Sequence, residues 1–417
     1  MMATGTGRAV EQAVRQSYGR LLALLARQTR DMAAAEDALA DALSAALETW
    51  PVSGVPATPE AWLLTTARRR IIDRVRRARV VEAGSVSMLV LTERTQEALA
   101  TADRIPDHRL ELMFACCHPS IEPEIRTPLM LQTVLGIDAA SIASAFLVAP
   151  STMGQRLSRA KARIKQAGHA FELPERRQIE ARLDAVLSSI YVAFSLGLDA
   201  SSSGEPAGEA FSDESLYLSR LLVSLMPDEP EVLGLAALEL HIHARRHARF
   251  VSGRYVPLNE QDPALWDRAM IAEAEACLSR AGKLGRLGRF QLEAAIQSVH
   301  AGRAVTGRTD WPTIAQLYEG LVLTSPSIGA RIGRALAVSQ GKEAARGLAL
   351  LDEIAEEAIA HHQPYWAARA DLLARAGRRG EADDAYGRTI GLSRSPAIRA
   401  FLTERRQSAA LEHRSTD

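Results

Sequence analysis

Apolar residues recur at helical spacing along almost the whole chain. Val14, Tyr18, Leu21, Leu22 and Leu25 share one stripe at 100° per residue, and Leu39, Leu43, Ala46, Leu47 and Trp50 share another. Asp31 stands where it would cap the second of these helices. The stretch PVSGVPATP (51–59) reads as a loop. A third helix is predicted from Glu60 to Arg79, with Leu64, Ala67, Ile71, Ile72 and Val75 on its buried side. No run of alternating β-branched residues is long enough for a sheet, so the pattern predicts an all-α fold.

Residues 81–107 are thinly patterned and read as a linker with a weak helix. A second compact unit is predicted at 108–170. A long helical region follows from about 175, broken by the polar small-residue stretch DASSSGEPAGEA (199–210). Near its end, Trp366, Ala370, Leu373, Ala382 and Tyr386 have the spacing of a tetratricopeptide helix pair. The stretches DWPTIAQLYEGL and PDEPEVLGLAALEL read as further helical hairpins. One hairpin cannot bury its own apolar face, so several stacked hairpins, a TPR-like α-solenoid, are expected over 175–417.

Composition changes little. Of 417 residues, 47% are hydrophobic and 24% charged, which is globular composition with room for two or three domains. Three cysteines, two of them adjacent, make no disulfide framework and fit a reducing compartment. No cationic start followed by an apolar core opens the chain, and no apolar run approaches the ~18 residues of a membrane span. A cytoplasmic protein without a membrane partner is expected.

Charge changes the picture more. The net charge is +0, yet arginines cluster at 68–79 and 156–165. In the third helix Arg69, Arg70, Arg76 and Arg77 project roughly opposite the buried side, with Arg68, Arg74 and Arg79 on the flanks and Asp73 the single acid of the run. Such a stripe suits a phosphate backbone, whose contacts release condensed counterions, but it also suits a solvated face. The segment GIDAASIASAFLVAPSTMGQRLSRAKARI (136–164) has a first helix with Ile142, Ala143 and Phe146, a turn near Ala149–Ser151, and a second helix. That is helix-turn-helix spacing. Met153, Leu157, Ala160 and Ile164 form the anchoring stripe of the second helix. Ser151, Thr152, Gln155, Arg156, Arg159 and Arg163 lie on a polar flank without acids. Thr152, Gln155 and Arg156 would reach base edges in a major groove, and Arg159 and Arg163 phosphates. A helical hairpin with a basic surface is the alternative.

Together AAAEDALADALSAALETW, TPEAWLLTTARRRIIDRVRR and IASAFLVAPSTMGQRLSRAKARI resemble the bacterial extracytoplasmic-function (ECF) sigma factors of the sigma-70 family. The first two are similar to its regions 2.2 to 2.4, the third to region 4.2. The helical remainder resembles the subgroup with a tetratricopeptide-like C-terminal extension. The resemblance implies a region 2 helical bundle at 10–80 and a region 4 helix-turn-helix domain at 108–170. It implies that Glu36, Asp37 and Asp41 dock on the β′ clamp of core RNA polymerase, with a further contact at the β flap. Trp62 and the arginines Arg69, Arg70, Arg74, Arg76 and Arg77 would then melt and hold the −10 promoter element, and the helix-turn-helix would read the −35 element. Arg69 stands where the family usually has asparagine, and Gly154 where a basic residue is common. The extension would take a protein or peptide partner and set activity. No catalysis and no cofactor are implied.

Three other motifs carry less. FACCHP (114–119) lacks the pairing geometry of a metal site and reads as core. HIHARRHAR (241–249) puts His243 and His247 four apart, which reads as a polar helix face. GKLGRLGRF (282–290) has glycines but no preceding strand, against a nucleotide site. Two rival functions remain: a helix-turn-helix regulator that senses a ligand or partner through the repeats, and an enzyme housed in the C-terminal region.

Overall fold

The computed structural model describes residues 17–81, 108–146, 148–167, 176–202, 206–340, 343–355 and 359–411. Val14 and nearly all of the 81–107 linker lie outside them. The chain forms two compact units, residues 1–192 and 193–417. The described residues are almost entirely helical.

In the first unit, α1 covers residues 17–29. Leu21, Leu22, Ala23, Leu24, Leu25 and Ala26 are all buried, so this helix is covered around most of its circumference. Asp31 accepts a hydrogen bond from the Ala34 amide at 3.1 Å and caps α2, Met32–Ser53, as its sequence position predicts. Leu39, Ala42, Ala46 and Trp50 turn inward, but Leu47 is exposed. The stripe is narrower than expected, and Ala35, Ala38 and Ala42 fill it instead, letting neighbours approach. α2 also extends through Pro51 into the predicted loop and ends at Gly54, whose φ of 84° stops it. α3, Pro59–Val81, packs on α2.

Four helices follow: α4, Arg109–Cys116; α5, Pro123–Leu135; α6, Ala139–Ala145; and α7, Pro150–Ala167. Asp138 accepts from the Ala140 and Ser141 amides and starts α6. Proline opens α7, where its missing N–H costs nothing. Met153, Leu157, Ala160 and Ile164 are buried, as their spacing predicts. Cys116 and Cys117 lie in this core, Cys116 with its sulfur 3.1 Å from Thr133 Oγ1. α8, Arg176–Ser202, begins against this unit: Arg182 donates to the Phe114 carbonyl at 2.6 Å. It runs into the 199–210 stretch, and α9, Pro206–Leu225, starts inside that stretch, so the expected loop is mostly helix.

The second unit is built on α10, Pro230–His243, which packs against α9, α12 and α13. Here α11 is Arg246–Arg249, α12 is Arg268–Lys283 and α13 is Arg289–Ala301. α10 is buried on every side, which overturns the polar-face reading of its histidines. His241 and His243 are buried, and the chain turns at Ala244 and Arg245, so His247 falls on α11 rather than beside His243. A two-residue hairpin follows, β1 (Phe250–Val251) with β2 (Arg254–Tyr255). Ser252 and Gly253 both take positive φ in its turn, the combination such tight hairpins require.

The remaining helices are α14, Arg303–Thr306; α15, Trp311–Thr324; α16, Ile328–Val338; α17, Ala344–Asp352; α18, Gln363–Arg375; α19, Arg379–Leu392; and α20, Pro396–Leu411. Larger helices next to one another in sequence pack on one another, including α15 with α16 and α18 with α19. Ala370, Leu373, Ala382 and Tyr386 enter the core of the last pair. Trp366 does not: it is half-buried, donates from Nε1 to the Ile359 carbonyl, and carries the Arg388 guanidinium 4.4 Å from its ring centroid.

Candidate polymerase and promoter interface

The three candidate docking acids on α2 have different surroundings. Asp37 is exposed and Asp41 half-exposed, and both pair with Arg74 of α3, at 2.9 and 3.0 Å. Glu36 is mostly covered and pairs with Lys161 of α7. Burial pushes the Glu36 carboxyl above its ordinary range, against the pull of Lys161. One turn earlier, Asp31 takes an ion pair from Lys165 at 2.7 Å. Burial alone would raise Asp31, but Lys165 and the capped amides outweigh it and hold it low.

On α3, Trp62 is half-buried and meets the fully buried Trp50 edge to face, with centroids 5.5 Å apart. Arg69 and Arg70 are exposed. Arg68 is half-buried and donates to Gln28. Arg74 faces the acids of α2 rather than the open flank. The side chains of Val75, Arg76, Arg77 and Arg79 lie outside the described residues.

α7 has three distinct flanks. Its apolar stripe is buried. Lys161 and Lys165 project on one side toward α2. On the other side Ser151, Gln155, Arg156, Arg159 and Arg163 are exposed and Thr152 is half-exposed. Arg163 pairs with Glu122 at 2.8 Å, which lowers the Glu122 pKa. The structure therefore gathers the six candidate α7 residues onto one solvent-facing arc, with one of them already occupied by an acid.

Sequence patterning missed Lys161, Lys165 and Glu122. One signal was available: Lys161 sits at the edge of an otherwise apolar stripe, where a cation needs a partner. The partner, on α2, is remote in sequence. Among the described residues no group of three or more His, Cys, Asp or Glu is placed to hold a metal. None of their helices is long and apolar enough to cross a membrane.

Residues 13–80 match Sigma-70 region 2, the segment that carries these acids, Trp62 and the arginines. Residues 182–282 match DUF6596, a family of unknown function. An uncharacterised protein of Rhizobium meliloti (strain 1021) is 37% identical over 393 residues, covering 93% of this chain and 92% of that protein. No solved structure matches. The chain belongs to one family with the Rhizobium protein, and it carries a sigma-70 region 2 domain, which supports a sigma factor of the sigma-70 family.

Proposed function

We propose that this chain is a sigma factor of the ECF type that directs core RNA polymerase to promoters and supports strand opening. Asp37 and Asp41, with Glu36 once uncovered, dock on the β′ clamp, and the 108–170 unit adds a contact at the β flap. Trp62, Arg69 and Arg70, with Arg74, Arg76 and Arg77, hold the −10 element. Ser151, Thr152, Gln155, Arg156, Arg159 and Arg163 meet the −35 element. The observation that carries this beyond region 2 is the acid-free arc of α7, exposed opposite its buried stripe and preceded by the short α6 and a tight turn. The role needs no covalent chemistry from the protein and places it in the cytoplasm with the polymerase.

The helices after residue 193 act as a TPR-like extension. Pairing of successive helices, with small residues in the α18–α19 core, supports this assignment. The extension takes a protein or peptide partner and sets the activity of the sigma unit. Reconstitution with core polymerase and genome-wide mapping of transcription starts tests the proposal. Starts with a common −35 sequence that depends on Arg156 support it. Operator binding without copurifying polymerase favours the rival regulator.

A further inference from the structure

The second unit buries a cation that no acid neutralises. Arg245 sits where the chain turns out of α10, and it is only 7% exposed. Its Nη2 donates to Oε1 of Gln297 on α13 at 2.6 Å, and its Nη1 is buried without an acceptor. Among the described residues no carboxylate pairs with it. The charges that act on it are Arg249 and Arg303, both of its own sign, and together with burial they push its pKa down to about 10.

The segment between β2 and α12 folds against this arginine. The Asp267 amide donates to the Ala244 carbonyl at 2.9 Å, which sets Trp266 beside Arg245. Arg303, at the start of α14, donates from Nη1 to the Asn259 carbonyl and from Nη2 to the carbonyls of Leu258 and Gln261, at 3.1 and 2.6 Å. Its guanidinium also lies 5.1 Å from the Trp266 ring centroid. All of these partners are neutral, so Arg303 is fixed in place with its charge unbalanced. His300, one turn before it, adds no charge, because burial and the arginines Arg245 and Arg303 push its pKa down to about 4. Of the acids in the folded-over segment, Glu260 pairs with Arg405, and Asp262 and Asp267 accept from backbone amides. Two more polar atoms here are buried without partners, Nε1 of Trp266 and Oε1 of Gln261. Buried polar groups in folded proteins are hydrogen-bonded and buried charges are paired. This cluster holds orphaned donors and three guanidiniums with no acid among them, which is the complement of an anion.

We propose that the cluster is a binding site for the phosphoryl group of a small ligand, held by Arg245 and Trp266 Nε1 in the field of Arg249 and Arg303. A guanidinium presents its N–H groups in a fork that fits phosphate oxygens. A dianion offsets three positive charges better than a carboxylate does. Gln261 Oε1 accepts from a protonated phosphate oxygen or from a ligand hydroxyl. The burial of Arg245 selects a small molecule, since a phosphate on nucleic acid or on a folded protein cannot reach it. Arg249 and Arg303 are half-buried and open the cluster to solvent on their side. Arg245, Gln261 and Trp266 all lie within the DUF6596 match, so this gives that segment a ligand class. The site stands whether or not the chain is a sigma factor.

Calorimetric titration and thermal unfolding of the full chain test it, with inorganic phosphate as the first probe. Phosphate at millimolar concentration should bind saturably and raise the melting temperature. Sulfate should compete with it, whereas acetate and chloride at the same ionic strength should not. Glycerol phosphate separates the two sources of the group: tighter binding than inorganic phosphate assigns the site to a phosphate ester, weaker binding to free phosphate. Arg245→Met keeps much of the buried volume without the charge. It should abolish binding and, because an uncompensated buried charge is gone, leave the unliganded chain melting at or above the wild-type temperature. Trp266→Phe keeps a ring beneath Arg303 and removes Nε1, and should weaken binding about tenfold. Arg254→Gln breaks a surface ion pair with Glu404 and should bind as the wild type does. The site is overturned if phosphate does not bind the wild type saturably, if acetate binds as tightly as phosphate, or if Arg245→Met and Trp266→Phe both bind like the wild type. Should Arg245→Met fail to fold, Trp266→Phe alone decides.

Discussion

The Nη1 of Arg74 lies 2.9 Å from Oδ2 of Asp37, so an arginine of α3 holds an acid of α2 from across the helical hairpin. Its Nη2 holds Asp41 in the same way at 3.0 Å. The acids in turn stabilise the charged guanidinium and raise its pKa. All three groups are substantially exposed, so Arg74→Ala should cost at most about 1 kcal/mol of stability. The effect on function should be larger. Freed acids lose their fixed geometry, and core affinity should fall several-fold, with Arg74→Lys restoring part of it. Asp37→Lys with Asp41→Lys should abolish core binding while leaving helical content unchanged. A pull-down in which the reversed protein still binds core normally removes the docking assignment.

The α7 arc predicts two separable defects. Arg156→Ala should relax sequence choice at one −35 position, by about 1–3 kcal/mol for a bidentate contact with guanine. Arg163→Ala should weaken all sequences alike and lower the salt dependence of binding. The pairing of Arg163 with Glu122 adds a third expectation, because that acid competes with phosphate. Glu122→Gln should tighten DNA binding modestly and without sequence preference. Binding isotherms over a salt series on matched and scrambled −35 sites check all three.

Local features were legible in the sequence: the Asp31 cap and the buried stripe Met153, Leu157, Ala160 and Ile164 each depend on residues a few positions apart. Features set by a remote partner were not. Leu47 fits the helical stripe of α2 yet finds no neighbour to cover it. His243 looks polar by type, but α10 is enclosed by three other helices. Glu36 and Asp37 are adjacent acids in sequence, and only the packing of α7 separates the covered one from the exposed one. Trp366 has the repeat spacing of a core residue, but its ring lies at the margin beneath Arg388.

That margin makes the two repeat aromatics unequal. Tyr386 is buried, and burial raises its hydroxyl to about 12. Tyr386→Ala should cost roughly 3–5 kcal/mol by leaving a cavity between α18 and α19. Trp366→Ala should cost less, because the ring is only partly buried at the edge of the core, where it is held by a hydrogen bond to the Ile359 carbonyl, an edge-to-face contact with Tyr365 and the Arg388 cation–π contact. Chemical denaturation of the full chain should rank the variants in that order.

Glu239 predicts a pH dependence. It is fully buried on α10, accepts a hydrogen bond from Ser219 at 2.6 Å, and burial raises its pKa to about 8. Between its ordinary value of 4.5 and 8, the folded chain keeps a proton that the unfolded chain releases. The unfolded state then binds fewer protons, so this residue's contribution to stability falls as pH rises through that window. The slope approaches about 1.4 kcal/mol per pH unit and flattens above pH 8. Glu239→Gln keeps the Ser219 contact without the charge. Melting temperatures of the two proteins should diverge from pH 5 to 8, with the variant the more stable at the alkaline end. Parallel curves would mean that Glu239 is not held neutral.

The C-terminal helices can be tested by truncation only if the cut respects α8. A chain ending near residue 172 loses the whole of that helix. Arg182, which donates to the Phe114 carbonyl, goes with it, as does Ser189, whose hydroxyl lies 3.8 Å from the Cys117 sulfur. Phe114 and Cys117 are buried in the sigma unit, and removing their cover should lower its stability. Lost activity in that chain would report misfolding as readily as lost regulation. A chain ending at Ser202 keeps these contacts and removes α9 to α20. If the extension sets activity, the Ser202 chain should bind core polymerase with an affinity near that of the full chain. Its output from the native promoter, at equal protein level, should nevertheless change. If output is unchanged in cells, the extension has no regulatory role under those conditions and is better assigned to docking a separate partner. Failure of the 172 chain alone, with the 202 chain fully active, would show that α8 completes the fold of the sigma unit rather than regulating it.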